Sequence, residues 1–429
     1  MKKSVLIALL TACLLLSCSG CDASKSMEAY RQLPETYHLE TDYPSTFFAG
    51  SLGPFVAPAP GGYYTFIGRF LYFIDADTMQ ASVLCNRPEC RHEKEIDPEK
   101  IPLCNAYVQH DRTPMLQYYE GNIYTNMEYY ESDDAVVTSC ALVRISVDGS
   151  SREILCPLDK GKYSFYAIHR GYLYSLRQDE SKSYFSRIQM DRLGQKPEIL
   201  LQWNADGATC FPIFDRNYFY LNRYKESEEK KTVVPMIQCC DLKTGDWSTV
   251  FMGSKEFSDA FEARYIYKDS LLCVSIKNIV FTEDEFRQGL RYYLLDPDTK
   301  ELCSLVNYQS VGYNDADNNA CYDADYLRSD GVNLCQMHLE ETKNPKERSI
   351  IFRNQDMEAT GSVPYGEIYG YTDFAPGDSD YSFLGGIGYS WERISLYLID
   401  KTGEEPVVTP VIERDGNEVY PPIGPSVLS

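Results

Sequence analysis

The chain is poor in the residues that most chemistry requires. Its 429 positions hold five histidines and three tryptophans, and 41 basic residues face 63 acidic ones for a formal net charge of −22. Such a surface repels nucleic acid and anionic lipid, so no nucleic-acid partner is expected. No Gly-x-Ser-x-Gly nucleophile elbow, phosphate loop or dinucleotide fingerprint occurs. His38, His110, His169 and His338 are scattered, with no cysteine, serine or carboxylate set around them at a motif spacing. The acidic stretch "NDADNNACYDADY" gathers Asp315, Asp317, Asp323 and Asp325, but Ala320 and Tyr326 stand where a calcium loop needs glycine and glutamate. It reads as a solvated loop. Only 29 residues follow Asp400, so an appended hydrolase domain is not expected.

What is abundant is aromatic. Thirty-five tyrosines and 19 phenylalanines favour strands over helices, because rings pack well on a pleated surface. From Gly61 onward one phrase returns: an apolar strand, an Asp-led turn, then a second short strand. Examples are "LYFIDADTMQASVL", "VRISVDGSSREIL", "RIQMDRLGQKPEIL", "IQCCDLKTGDWSTVF", "YYLLDPDTKELCSL" and "LYLIDKTGEEPVV". Asp75, Asp148, Asp191, Asp241, Asp296 and Asp400 occupy the turns, and Gly149, Gly194, Gly245 and Gly403 supply the left-handed position of a tight hairpin. "SIIFRNQDMEATGSV" is a degenerate seventh copy. Upstream of most copies lies a turn residue followed by an aliphatic and often an aromatic residue, as in "EGNIY", "RGYLY" and "DRNYFY".

Successive turns are mostly 43 to 60 residues apart, the length of four short strands with their loops. That predicts an all-β protein, a β-propeller of mainly four-stranded antiparallel blades, with seven blades favoured over six or eight. The interval from Asp75 to Asp148 is longer, at 73 residues. The excess is an insertion at 84–107, "LCNRPECRHEKEIDPEKIPLCNAY", expected on a rim of the disc.

That insertion holds the one cluster with metal-ligand character. Cys85, Cys90, His92 and Cys104 offer three thiolates and an imidazole, a set that suits a tetrahedral structural zinc. A disulfide from Cys85 or Cys90 to Cys104, or unlinked thiols, are the alternatives. Three thiolates and a histidine would fill a zinc shell, so a catalytic metal is not expected. Cys273 and Cys303 read as small buried hydrophobes.

The first residues, "MKKSVLIALLTACLLLSCSGCDAS", carry two lysines and a twelve-residue apolar run from Val5 to Leu16, too short for a dependable membrane span. They resemble a bacterial lipoprotein signal, with Leu15 and Ser17 in the places that processing requires before a lipidated Cys18; Cys21, after Gly20, is the alternative acceptor. The expected organisation is a signal peptide at 1–18, a tether at 19–60 (or an extended segment laid across the domain surface) and the propeller at 61–429. The repeat phrases, and above all "LCNRPECRH" followed by "CNAY", resemble β-propeller-like lipoproteins of gut Firmicutes related to TolB-like propellers of unknown function, although Met79 stands where glycine is usual. The resemblance implies a propeller fold and an extracytoplasmic location on the outer face of the bacterial cell membrane. The expected role is non-catalytic binding of a glycan, a peptide or an envelope protein by a lipid-anchored monomer. An enzyme acting on glycans at the channel mouth and a structural subunit of an envelope complex are the rival expectations.

Overall fold

In the computed structural model the described residues are 35–44, 56–90, 92, 104–110, 115–130, 137–158, 164–179, 181–204, 212–227, 232–253, 260–268, 271–281, 286–314, 320–322, 324–339, 349–365, 371–387 and 393–412. They form seven antiparallel sheets, six of four strands and one of five. The sheets span 56–83, 116–158, 164–204, 212–252, 260–322, 324–364 and 371–412, and are numbered here as blades 1 to 7. Strand order within each blade is the order in sequence, and first strands meet between blades 1 and 2, 2 and 3, 4 and 5, and 5 and 6. The seven-bladed expectation is met.

The repeated phrase is the turn between the third and fourth strands of a blade. In blade 1 the Asp75 carboxylate accepts from the backbone N–H of Asp77 (3.1 Å) and Thr78 (2.8 Å). Asp241, Asp296 and Asp400 bond their own turns in the same way. In blade 6 Asn354 takes the role, accepting from Asp356 and Glu358 at 3.0 and 2.9 Å, which explains why that copy looks degenerate. Met79 keeps the left-handed geometry despite its side chain (φ 55°), and its N–H reaches the Asp75 carbonyl at 2.8 Å, as Gly245 (φ 78°) does with Asp241 at 2.7 Å.

Each blade buries both of its faces against its neighbours, so apolar clusters lie at the seams. Phe185, Phe214 and Phe219 fill the seam between blades 3 and 4, and Leu272, Val274 and Leu295 that between blades 4 and 5. The ring closes where Val56, Tyr63 and Ile67 of blade 1 pack on Phe383, Leu396 and Leu398 of blade 7. Among the described residues no strand is exchanged there: each blade is one contiguous stretch of chain.

Two expectations need correction. The propeller begins before residue 61, because Val56–Ala59 is the innermost strand of blade 1, and residues 35–43 lie across the turns of blades 2 to 4. Arg170 anchors that segment through Asp42, and the Tyr43 ring inserts between Phe165 and Phe214. The extended-segment alternative therefore describes these residues. Cys303 is exposed, whereas Cys273 is fully buried: they sit on an outer edge strand and in a seam respectively. Cys18, Cys21 and, in the acidic stretch, Asp315, Asp317 and Asp323 lie outside the described residues.

Candidate functional site

The cluster is assembled by short turns at the edge of blade 1. Leu84 N–H ends the outer strand on the Leu71 carbonyl (2.9 Å), and the chain then turns from Arg87 to Cys90, closed by a 3.1 Å backbone bond. Pro88 at the second position of that turn pre-sets its backbone. His92 adopts a left-handed conformation (φ 54°). After the insertion, Cys104 opens a second turn closed by Tyr107 N–H to the Cys104 carbonyl at 3.3 Å. Residues 106–108 then run beside 69–71, with Leu71 N–H on the Ala106 carbonyl and Val108 N–H on the Arg69 carbonyl, both at 2.9 Å. Ala106, Tyr107 and Val108 are wholly buried there, between the faces of blades 1 and 2.

These turns bring together all four expected ligands. One ligand atom from each of Cys85, Cys90, His92 and Cys104 lies within 4.8 Å of the other three, and Cys104 Sγ stands 3.9 Å from His92 Nδ1. Tetrahedral zinc, with bonds of about 2.3 Å to sulfur and 2.0 Å to nitrogen, sets those two atom types about 3.5 Å apart. All three cysteines are free in this structure. Cys104 is buried and the other three ligands are half-buried.

The electrostatics are those of crowded sulfur. Burial works to raise the Cys85 thiol, but backbone N–H groups of Arg87 and Asn105 and the neighbouring Cys90 and Cys104 thiols outweigh it and hold it below its ordinary value. Burial pushes the Cys104 thiol up to about 12, aided by Cys90 and the charge of Cys85, against the pull of the Ala106 N–H. The N–H two residues after a cysteine thus points at its sulfur twice, from Arg87 and from Ala106. Donors so placed favour thiolates, while three thiolates in one spot repel one another unless a cation joins them. A soft divalent cation fits this donor set, and the full shell would make it structural.

Contacts from blade 2 complete the surroundings. The Gly149 carbonyl accepts from Asn86 N–H (3.2 Å) and Asn105 Nδ2 (2.9 Å). Arg152 Nη1 donates to the Cys104 carbonyl at 3.0 Å and to the Tyr107 carbonyl. These second-sphere groups carried no signal in the sequence, since they lie more than 40 positions from the ligands they touch.

A separate open cleft of about 530 Å³ lies between blades 2 and 3, lined by Tyr119, Tyr124, Tyr172, Glu120, Arg144 and Gln189 among others, with Thr41 of the crossing segment on its edge. Tyr119 and Tyr124 meet edge to face at 6.0 Å, and Gln189 Nε2 donates to the Tyr172 hydroxyl at 3.2 Å. The phrases "EGNIY" and "RGYLY" carry Tyr124 and Tyr172, though at different places in the phrase: Tyr124 matches Tyr174, and Tyr172 matches Asn122. Outside the cluster, His110 packs on Phe66 at 5.2 Å, and His169 is bonded on both ring nitrogens.

No protein-family model matches the sequence, and no curated protein matches it. Solved structures of similar fold include the β-propeller domain of the Trilobed protease from Pyrococcus furiosus, at 9% identity over 86% of this chain and 97% of that one, with a TM-score of 0.47. An oligogalacturonate lyase in complex with manganese is 10% identical over 81% and 83% (TM-score 0.40), and TolB from Acinetobacter baumannii is 12% identical over 83% and 78% (TM-score 0.37). At such identities the likeness is one of fold alone. The chain is a seven-bladed β-propeller.

Proposed function

We propose that the protein is a lipid-anchored, extracytoplasmic binding propeller, tethered through Cys18 or, failing that, Cys21, which holds a glycan or peptide at the cell surface and performs no catalysis of its own. A zinc ion on Cys85, Cys90, His92 and Cys104 is its structural cofactor. The observation that carries the binding reading is the tyrosine-lined cleft between blades 2 and 3: its volume suits a small ligand, and it combines rings with an arginine, a carboxylate and an amide. Several carboxylates are already engaged, the buried Asp42 and Asp330 and the half-buried Asp378 among them. Asp330 pairs with Lys401 at 2.6 Å, Asp378 accepts from the Tyr63 hydroxyl at 2.5 Å, and Asp42 is held by Arg170.

The test is a binding screen of the mature protein against glycan and peptide arrays, repeated with Arg144→Ala and Tyr172→Ala. A ligand whose binding both changes weaken at least tenfold, with unaltered melting, supports the reading. Turnover of any bound glycan, or binding indifferent to both changes, overturns it. Mass spectrometry of the N-terminus tests the anchor: a diacylated or triacylated Cys18 or Cys21 is expected, and an unmodified terminus beyond Cys21 contradicts it.

A further inference from the structure

Among the described residues no strand is shared between blades, so ring closure rests on packing at the seams. Blade 1 holds its own edge weakly. Its outer strand, Ala81–Val83, has three residues and no buried side chain. What fills the seam beside it is not a strand of either blade but the segment 104–108, whose Ala106, Tyr107 and Val108 pack between Phe70 and Leu71 on one side and Leu116, Ile123, Val143 and Ile145 on the other. This wedge carries one isolated bridge, Phe70 to Tyr107, made by the Leu71–Ala106 and Val108–Arg69 backbone bonds. So little ladder does not fix a five-residue segment that emerges from a long insertion.

The ligand cluster sits at the head of the wedge. Cys104 is its first residue, Cys85 is the second residue past blade 1's outer strand, and Cys90 and His92 come from the turn between them. Blade 2 grips the same turns from outside, through the Gly149 carbonyl on Asn86 and Asn105 and through Arg152 on the carbonyls of Cys104 and Tyr107. We propose that the metal centre is a lock between blades 1 and 2. The ion joins the edge of blade 1 to the wedge, and Arg152 is the positioning residue that fastens the wedge to blade 2. Three thiolates and a neutral imidazole on a divalent ion leave one net negative charge, and the guanidinium beside Cys104 offsets it in a half-buried setting. The lock rests on the zinc reading above and goes beyond it, for it assigns the ion a place in ring integrity rather than in the insertion alone.

The test is amide hydrogen exchange on the mature protein, read by mass spectrometry with its native metal and again after removal by a chelator under reducing conditions, with bound metal measured in parallel. Peptides covering 69–72, 104–108 and 145–152 should exchange at least tenfold faster without metal, while peptides from blades 4 and 6 stay unchanged. Restoring zinc should restore protection. Arg152→Met should raise the metal dissociation constant by about 10- to 100-fold and loosen the same peptides with metal bound, and Arg152→Lys should recover part of the affinity. Should Arg152→Met fail to fold, Asn105→Ala, which removes the amide bond to Gly149, serves in its place. A wild type that binds neither zinc nor cobalt refutes the metal reading itself. Metal binding with an unchanged seam on removal refutes the lock and leaves the metal reading standing. Equal loss of protection in all seven blades also refutes the lock, because the ion would then serve global folding.

Discussion

Arg170 holds Asp42 through two parallel contacts, Nε to Oδ1 at 2.7 Å and Nη2 to Oδ2 at 2.9 Å, and both side chains are completely buried. The pair joins the segment that crosses the face to the first turn of blade 3, and the same guanidinium also reaches Asn217 and the Thr36 carbonyl (3.2 Å). Removing one partner leaves a buried charge unanswered, at a cost of about 3–5 kcal/mol. Asp42→Ala should therefore lower the denaturation midpoint and open the chain near residue 44 to proteases, whereas an exposed-pair change such as Glu198→Ala should do neither. Unaltered proteolysis in Asp42→Ala would contradict the anchoring role.

His169 lies under the same segment. Its Nδ1 accepts from Tyr43 N–H (3.0 Å) and its Nε2 donates to the Arg216 carbonyl (2.6 Å), an arrangement that requires the neutral ring. Burial is the main reason its pKa falls to about 4 from 6.5. A folded value below the unfolded one gives stability that is whole above pH 6.5 and is lost as pH falls towards 4. The loss is about 3 kcal/mol across that window. Urea titrations between pH 7 and 4 should show this slope in the wild type and a shallower one in His169→Gln. Equal slopes would contradict it.

The turns between third and fourth strands give a graded test of local strain. Lys300 (φ 63°) occupies the position that Gly245 (φ 78°) holds one blade earlier, each with its N–H on the carbonyl of the turn aspartate. A left-handed conformation costs a residue with a Cβ about 1–2 kcal/mol, part of which glycine's greater unfolded entropy cancels. Lys300→Gly should stabilise by about 0.5–1 kcal/mol, and Gly245→Ala should destabilise by about 1 kcal/mol. Thermal melts that reverse these signs would show the turns are not equivalent.

Gly149 and Gly121 separate strain from crowding. Both are left-handed, with φ of 66° and 74°. A Cβ on Gly121 meets nothing within 4 Å, but one on Gly149 falls 2.6 Å from the Leu84 carbonyl atoms and 2.8 Å from Cys85 N. Gly121→Ala should cost about 1 kcal/mol. Gly149→Ala should cost clearly more, since backbone beside a metal ligand must shift, and it should weaken zinc binding as well. Equal melting shifts for the two variants would contradict the close approach of blade 2 to the cluster.

The parts of this fold that were legible in the sequence are the local ones. An aspartate that bonds its own backbone two and three residues on, with a left-handed residue after it, writes itself into a six-residue phrase, so the blades could be counted by their turns. The four ligands were legible for the same reason, as soft donors concentrated in one insertion. Blade 6 was harder because Asn354 does the work of the aspartate. Val56–Ala59 was hidden by its prolines and small residues, which blur the alternation of a strand. The anchoring of Asp42 by Arg170 spans 128 residues, and the grip of Arg152 on Cys104 spans 48. Pairings at that range leave no local pattern. Cys303 misled because a cysteine beside leucine in a strand reads the same whether it faces solvent or a seam.

The most direct measurement is X-ray absorption at the zinc edge of the mature protein, purified under reducing conditions, with elemental analysis of the same sample. About one zinc per chain is expected, with three sulfurs at about 2.3 Å and one nitrogen at about 2.0 Å. Cys104→Ser or His92→Ala should lower the metal content sharply. A metal-free wild type, a first shell of oxygen and nitrogen alone, or a sulfur bonded to another at about 2.05 Å would contradict it.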